Sequence, residues 1–87
     1  MKRILFSLLA RRAKDVLLVA DFTDWEARPI IMDRMKPRSR TFGAVVELPP
    51  GTYQYKFIVD GEWVEDPKAD SVPNAFGTNN SVITVEP

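Results

Sequence analysis

Short apolar runs separated by turn residues recur along the whole chain, and none of them continues into the pattern of a long amphipathic helix. This pattern predicts an all-β protein. We expect about seven short antiparallel strands, the number typical of an immunoglobulin-like β-sandwich. The predicted strands lie near residues 3–9, 15–20, 29–33, 41–48, 52–59, 62–64 and 80–85.

The clearest strand is the alternating segment from Tyr53 to Val59. Side chains alternate between the two faces of a strand, so Tyr53, Tyr55 and Phe57 should share one face. We expect this aromatic face to pack into the core. Lys56 should then point out of the sandwich from a fixed position on a rigid strand.

Two turn signals flank this strand. Pro49-Pro50-Gly51 should end the strand at 41–48, because proline donates no backbone hydrogen bond and glycine tolerates positive φ. We expect the strands at 41–48 and 52–59 to pair across it as a hairpin. Asp60-Gly61 predicts a second tight hairpin turn.

Residues 65–79 form the longest stretch with no predicted strand, and loops of this length are often functional. We expect residues 1–87 to form a single domain. A deep substrate cleft in so short a chain would compete with the core for residues. Chain length therefore argues against an enzyme.

Charge is unevenly distributed although its total is zero. Residues 1–40 carry ten basic and five acidic side chains, or +5, and residues 41–87 carry two and seven, or −5. Such a chain could self-associate or present a basic patch to a partner. The basic stretch at 34–40 has no aromatic residue on which a nucleic-acid base could stack. We interpret it as a solvated hairpin loop and expect no nucleic-acid partner.

Cysteine and histidine are both absent. The chain therefore offers neither disulfides nor thiolate metal ligands, and it lacks the commonest general base. We expect no metal, no cofactor and a cytoplasmic location. Most of the carboxylates lie in predicted turns, where Asp is favoured for backbone reasons. A pair that flanks a glycosidic bond, as glycoside hydrolysis usually requires, is not expected.

The beginning of the chain imitates a signal peptide, since Met1-Lys2-Arg3 precedes the apolar run Ile4 to Ala10. That run is short for a signal peptide, and Arg11-Arg12 follows where small residues should mark a cleavage site. We interpret the segment as the first strand. No apolar stretch is long enough to predict a membrane-spanning segment.

Trp25 comes just after the second predicted strand, and Trp63 lies two residues beyond the Asp60-Gly61 turn. An indole is a flat apolar plate that matches the C–H face of a sugar ring, but a tryptophan can equally plug the end of a β-sandwich core. Lys56, Thr78 and Asn80 could bind sugar hydroxyls, although Thr78 and Asn80 could also be simple turn formers. These patterns alone leave both alternatives open.

Three segments carry a family resemblance. Asp-Phe-Thr-Asp-Trp at 21–25 resembles the GDFNDW segment of family 48 carbohydrate-binding modules. The run from Leu48 to Trp63 is similar to their LPPGEYQYKFVVDGEW signature, and the run from Val72 to Val82 resembles their closing VPNPFGxxNSVV. These modules occur as the glycogen-binding domain of the AMP-activated protein kinase β subunit and as early set domains of isoamylases and branching enzymes.

The resemblance spans nearly the whole chain and implies an immunoglobulin-like sandwich of the early set type with an α-1,4-glucan as ligand. Two departures from the family pattern are Ala20 in place of glycine, which could alter the loop that orients the first tryptophan, and Ala75 in place of proline. The ligand-binding positions that the resemblance implies are Trp25, Lys56, Trp63, Phe76, Thr78 and Asn80.

Two functions follow as hypotheses. The first is non-catalytic binding of glycogen, starch or maltooligosaccharides through the two tryptophans. The second is a packing or interaction module that docks on a glucan-processing enzyme or a regulatory kinase complex. We do not expect a free-standing hydrolase.

Overall fold

Eight strands make up most of the chain in the computed structural model, which describes residues 1–87. The prediction of an all-β protein is confirmed. Two single 3-10 turns, Asp21–Thr23 and Trp25–Ala27, separate the second and third strands. The strands are β1 (Lys2–Leu9), β2 (Val16–Ala20), β3 (Ile30–Arg34), β4 (Thr41–Leu48), β5 (Gly51–Val59), β6 (Glu62–Val64), β7 (Asp70–Pro73) and β8 (Asn79–Val85).

The strands form one curled antiparallel sheet in the order β1-β4-β3-β2-β5-β8-β7, and β6 also pairs with β5. β3 changes partner along its length: Ile30 to Met32 pair with β2, whereas Asp33 and Arg34 pair with β4. One edge of β5 pairs with β2, and its other edge is shared by β8 and β6. β5 is therefore the strand with the most partners in the sheet.

The curled sheet encloses an apolar core with an aromatic centre. The Phe6 and Tyr55 rings meet edge to face with centroids 4.9 Å apart, and the Tyr55 and Phe57 centroids lie 5.8 Å apart. The aromatic face of β5 thus packs inward, as its alternation predicted. The buried core residues are Phe6, Leu8, Ala13, Val16, Leu18, Ala20, Met32, Phe42, Leu48, Tyr55, Phe57 and Val85.

The predicted hairpin between β4 and β5 is wrong. β4 pairs with β1 along its whole length and with β3 through Phe42 and Gly43, whereas β5 pairs with β2, β6 and β8 and with no residue of β4. Pro49 and Pro50 lie between the strands, and their fixed φ and missing N–H groups do not suit a tight hairpin turn. The two prolines instead carry the chain from one part of the sheet to another.

Two other predicted hairpin loops are confirmed. Asp60 and Gly61 connect β5 to β6 as a two-residue loop, with φ of 47° and 88°. The Asp60 carboxylate also accepts hydrogen bonds from the backbone N–H groups of Lys14 (3.0 Å) and Asp15 (2.8 Å). In the basic stretch at 34–40, Arg34 ends β3 and residues 35–40 form the mostly exposed connection to its partner strand β4. The segment that imitates a signal peptide forms β1, as interpreted.

The strand β7 lies within residues 65–79, where no strand was predicted. It is a four-residue edge strand that ends in Pro73, so it carries too little alternation to be recognised. The preceding loop is held by buried Asp66, whose carboxylate accepts a 2.7 Å hydrogen bond from the Tyr55 hydroxyl. The Asp66 N–H donates to Ser81 Oγ at 2.8 Å. These bonds join the loop to β5 and β8.

No helix in the structure is both long enough and apolar enough to cross a membrane.

Candidate functional site

A groove of about 610 Å³ lies on the outer face of the sheet, on the opposite side of β5 from the aromatic core. Side chains from the turn after β2, from strands β5, β6 and β8, and from the loop into β8 line it. All six site residues predicted from the sequence are among them, and Glu26 and Asn74 are the two that were not predicted. The groove is lined by Trp25, Glu26, Lys56, Trp63, Asn74, Phe76, Thr78 and Asn80.

The two tryptophans lie at the groove and not in the core. Trp63 is 45% exposed, and Trp25 is half-buried. Neither ring belongs to the buried core cluster. The alternative that both tryptophans plug the ends of the core is therefore excluded by the fold.

Trp25 projects from a turn with unusual backbone geometry. Asp24 and Trp25 both adopt positive φ, 53° and 52°, a region that is costly for residues with a Cβ atom. The buried side chain of Thr23 holds the turn: its hydroxyl accepts from the Ala20 N–H at 2.9 Å and lies 2.8 Å from the Trp25 carbonyl oxygen. The Asp21 carboxylate accepts from the Gln54 N–H at 3.1 Å. The turn is thereby fixed to β5.

Ala20 is compatible with this turn, although family 48 carbohydrate-binding modules have glycine at the same position. Its φ of −161° is extended backbone that any residue adopts, and its side chain is fully buried in the core. The substitution therefore requires no change in the direction of Trp25.

Lys56 lies on the outer face of β5, as predicted, but it does not extend into solvent. It is only 6% exposed, because the loop into β8 and the ring of Trp63 cover it. Its ammonium lies 6.0 Å from the Trp63 ring centroid and donates a 3.1 Å hydrogen bond to Thr78 Oγ1. An ammonium has three donors, so two remain for a ligand. The lysine forms the floor of the groove.

The loop between β7 and β8 raises Phe76 above the groove, where its ring is 89% exposed. Asn74 holds this loop: its Oδ1 accepts the N–H groups of Phe76 (2.9 Å) and Thr78 (3.2 Å). Gly77 between them adopts a φ of 83°, which favours glycine. A large apolar side chain with no packing partner is thus presented on a hydrogen-bonded turn.

Amide side chains form the wall beside the lysine. Asn80 is 8% exposed, and its Nδ2 donates to Gln54 Oε1 at 3.0 Å. Its Oδ1 accepts from Asn74 Nδ2, also at 3.0 Å. Asn74 was missed from the sequence because an asparagine after proline is read as a turn former. The segment Val72-Pro73-Asn74 in the family motif was the available signal.

Glu26 was missed for a different reason. It follows Trp25 in a segment with no periodicity, and nothing in its neighbours distinguishes it from a solvated surface carboxylate. It reaches the groove because the 3-10 turn Trp25–Ala27 bends the chain there. It is the one carboxylate among the lining residues.

The group with a shifted pKa lies outside the groove. Burial raises the pKa of the Tyr55 hydroxyl above its usual value, and the hydrogen bond to Asp66 raises it further. Tyr55 faces the core on the inner side of β5. The groove itself combines aromatic surfaces with hydrogen-bond donors, an arrangement suited to a ligand with apolar faces and polar edges.

Comparison with known proteins places the chain in a family. The family model described as the glycogen recognition site of AMP-activated protein kinase matches residues 9–87. The chain is 37% identical over 73 residues to the 5'-AMP-activated protein kinase subunit beta-1 of Homo sapiens, which covers 84% of this chain and 25% of that protein. It is 38% identical over 74 residues to subunit beta-2 of Mus musculus, with 84% and 26% covered.

For subunit beta-1 of Sus scrofa, the 37% identity over 73 residues covers 84% of this chain and 56% of the relative. The chain thus spans between a quarter and about half the length of these curated relatives. The matched region includes all the residues that line the groove. The chain therefore belongs to the carbohydrate-binding family described as the glycogen recognition site of AMP-activated protein kinase.

Proposed function

We propose that the chain binds α-1,4-linked glucans such as glycogen, starch and maltooligosaccharides in the groove on its outer face, without catalysing a reaction. Trp25 and Trp63 stack against sugar rings, and Lys56, Thr78 and Asn80 bind hydroxyl groups. The observation that carries this proposal is the position of two solvent-accessible indoles beside a covered lysine ammonium in one groove. Stacking removes the C–H faces of the sugar from water while its hydroxyls stay hydrogen-bonded.

Phe76 has a distinct part in this proposal. Its ring is the most exposed aromatic surface of the groove and lies on a turn held by Asn74. An α-1,4-glucan is a curved chain, and an apolar side chain can pack into its concave side. The groove is open, so we expect weak affinity for short oligosaccharides and stronger binding to polymers with many sites.

The absence of catalysis is part of the proposal. Glycoside hydrolysis usually uses two carboxylates about 5–10 Å apart on either side of the bond. Glu26 is the one carboxylate that lines the groove. A binding role is the better match to this arrangement than a hydrolytic one.

We also propose that the curled sheet is an immunoglobulin-like sandwich of the early set type and that residues 1–87 form one domain. The change of partner within β3 and the single enclosed core support both statements. A cytoplasmic location, where glycogen is stored, belongs to the same proposal.

The test is a titration with β-cyclodextrin or maltoheptaose followed by NMR of the two indole N–H signals. Both signals should shift, and cellobiose, which is β-linked, should leave them unchanged at the same concentration. If neither indole responds to the α-linked ligands, the proposed function is wrong. Affinity electrophoresis through a glycogen gel tests binding to the polymer, which should retard migration of the chain.

A second function, docking on a kinase complex, is favoured by three further observations. The relatives are named as kinase subunits, and the outer face of β1 and β4 exposes Leu5 beside its cross-strand partner Val45, with Leu9 further along β1. Exposed apolar side chains grouped in this way are typical of interaction surfaces. The opposite charges of the two halves of the chain also suit association with a partner.

Pull-down of AMP-activated protein kinase with this chain separates the two functions. Docking predicts that Trp25→Ala and Trp63→Ala retain the complex while Val45→Asp loses it. Glycogen binding should show the reverse pattern. If Val45→Asp retains the complex, this face is not the docking surface.

A further inference from the structure

The polar side chains beneath the groove form a hydrogen-bond network in which Asn74 uses all of its capacity. Its Oδ1 accepts two backbone N–H groups, and its Nδ2 donates to Thr78 Oγ1 at 2.8 Å and to Asn80 Oδ1 at 3.0 Å. A primary amide offers two donors and one oxygen with two lone pairs. No part of the Asn74 side chain is left for a ligand.

The two backbone N–H groups determine which way this amide faces. A backbone N–H can only donate, so the atom that faces Phe76 and Thr78 must be the oxygen of Asn74. The nitrogen must then face Thr78 Oγ1 and Asn80. Asn80 in turn must direct its oxygen at Asn74 and its nitrogen at Gln54. The orientation of three amide side chains follows from one turn.

The same reasoning determines the direction of the Thr78 hydroxyl. Its oxygen receives two donors, Lys56 Nζ at 3.1 Å and Asn74 Nδ2 at 2.8 Å. A hydroxyl has two acceptor lone pairs and one hydrogen, so both lone pairs are occupied. The Thr78 hydroxyl donates no hydrogen bond within the protein, so its hydrogen is free to donate to a ligand in the groove. Thr78 can therefore act on a ligand only as a donor.

We propose that Asn74 is a positioning residue that makes Thr78 an obligatory hydrogen-bond donor to the ligand. Asn74 thereby determines which sugar oxygens can bind in the groove. The remaining N–H groups of Lys56 and Asn80 have the same polarity. The floor of the groove therefore recognises ligand oxygens as acceptors, and the hydrogens of the sugar hydroxyls turn outward to water or to Glu26. This inference rests on the proposed function and adds a residue that does not itself touch the ligand.

Asn74→Asp isolates the donor role. The substitution keeps the shape and the oxygen that the Phe76 and Thr78 N–H groups require, but it removes both side-chain donors. The Thr78 hydroxyl then gains a competing acceptor and turns away from the ligand. Asn79→Asp is the matched control. It introduces the same charge in the same segment of chain, at an exposed asparagine next to Thr78 that does not line the groove.

The experiment measures β-cyclodextrin affinity by calorimetry in a double-mutant cycle of Asn74→Asp with Thr78→Val. We expect Asn74→Asp alone to weaken binding about fivefold, the usual effect of losing one directed hydrogen bond, and Asn79→Asp to change it less than about twofold. In the Thr78→Val background, Asn74→Asp should cost less than about twofold, because the hydroxyl it orients is gone.

Additive losses in the cycle, or an equal loss in Asn79→Asp, would overturn the positioning role while leaving the proposed function intact. No binding by the unmodified chain would overturn both. Hydrogen exchange of the side-chain amides tests the network without any substitution and without ligand. The Asn74 amide protons should exchange more slowly than those of Asn79, and equal rates would show that the network does not form.

Discussion

The two faces of β5 differ in what their side chains do. On the inner face, Tyr55 and Phe57 are buried and contribute to the core. On the outer face, Gln54 and Lys56 take part in the network beneath the groove. Because strand side chains alternate, one nine-residue strand supplies the centre of the core and the floor of the site. Substitutions on one face should change stability, and those on the other should change binding.

Phe57→Ala should have the largest effect of the substitutions on either face. Phe57 is fully buried, and truncation of a buried phenylalanine typically costs about 3–5 kcal/mol of unfolding free energy. Urea denaturation measures this loss. Phe76→Ala, the same change at an exposed ring, should alter stability by less than about 0.5 kcal/mol. Similar losses in both variants would contradict the division between the faces.

Tyr55→Phe should rank second and also act on stability alone. It leaves the buried Asp66 carboxylate without its 2.7 Å partner, a loss of about 1.5–3 kcal/mol for a hydrogen bond to a charged group. Affinity for β-cyclodextrin, measured below the melting temperature, should not change.

The pH dependence of Tyr55→Phe sharpens this expectation. The pKa of Tyr55 is raised in the folded state, so the unfolded chain loses the proton first, near the ordinary tyrosine pKa of about 10. The stability that the Tyr55 hydroxyl contributes is therefore fully present below that pH and is lost as the pH rises above it. Between neutral and alkaline pH, the melting temperature should fall less for Tyr55→Phe than for the unmodified chain.

Trp63→Ala should have the largest effect among substitutions on the outer face. Removal of an aromatic platform from under a stacked ring costs on the order of 1–3 kcal/mol, by analogy with bases stacked on aromatic side chains, which corresponds to about five- to 150-fold in affinity. Retarded migration through glycogen gels measures it. Because the ring is 45% exposed, the urea midpoint should move little. Unchanged migration would remove Trp63 from the site.

Lys56→Met should have the smallest effect of these substitutions, and it should change glucan affinity and stability in different directions. Methionine keeps the length of the chain but removes the donors, so glucan affinity should fall about three- to tenfold. Stability should stay equal or rise, because a largely buried ammonium is replaced by an apolar group. Lys68→Met, outside the groove, is the control and should bind normally. A large loss of stability in Lys56→Met would assign the lysine to the core.

Long alternating strands could be predicted from the sequence, whereas the partners of some strands could not. The alternation from Tyr53 to Val59 identified β5 and its inner face, since burial imposes a period of two. β4 pairs with β1 and β3 rather than with the strand that follows it, and the residues Pro49 and Pro50 carry no information about which strands pair. The short strand β7 exists because β8 offers it an edge, so its own residues carry little signal.

The residues of the groove divide in the same way. Trp25, Lys56, Trp63, Phe76, Thr78 and Asn80 were identified through the family motifs, and their roles in binding stay predictions until they are tested. That they share one groove depends on the turn after β2, strand β6 and the loop into β8 meeting beside β5. Asn74 and Glu26 join them only because that loop and that turn bend the chain towards the same place.

The sequence by itself determined the all-β class, the inward aromatic face of β5 and the family, because these depend on local alternation and on motifs that are contiguous in the chain. Only the tertiary structure decided that the tryptophans lie outside the core, that Lys56 is covered and that the Thr78 hydroxyl must donate. These properties depend on which distant side chains meet. Burial and hydrogen-bond direction are set by such contacts and not by the order of residues along the chain.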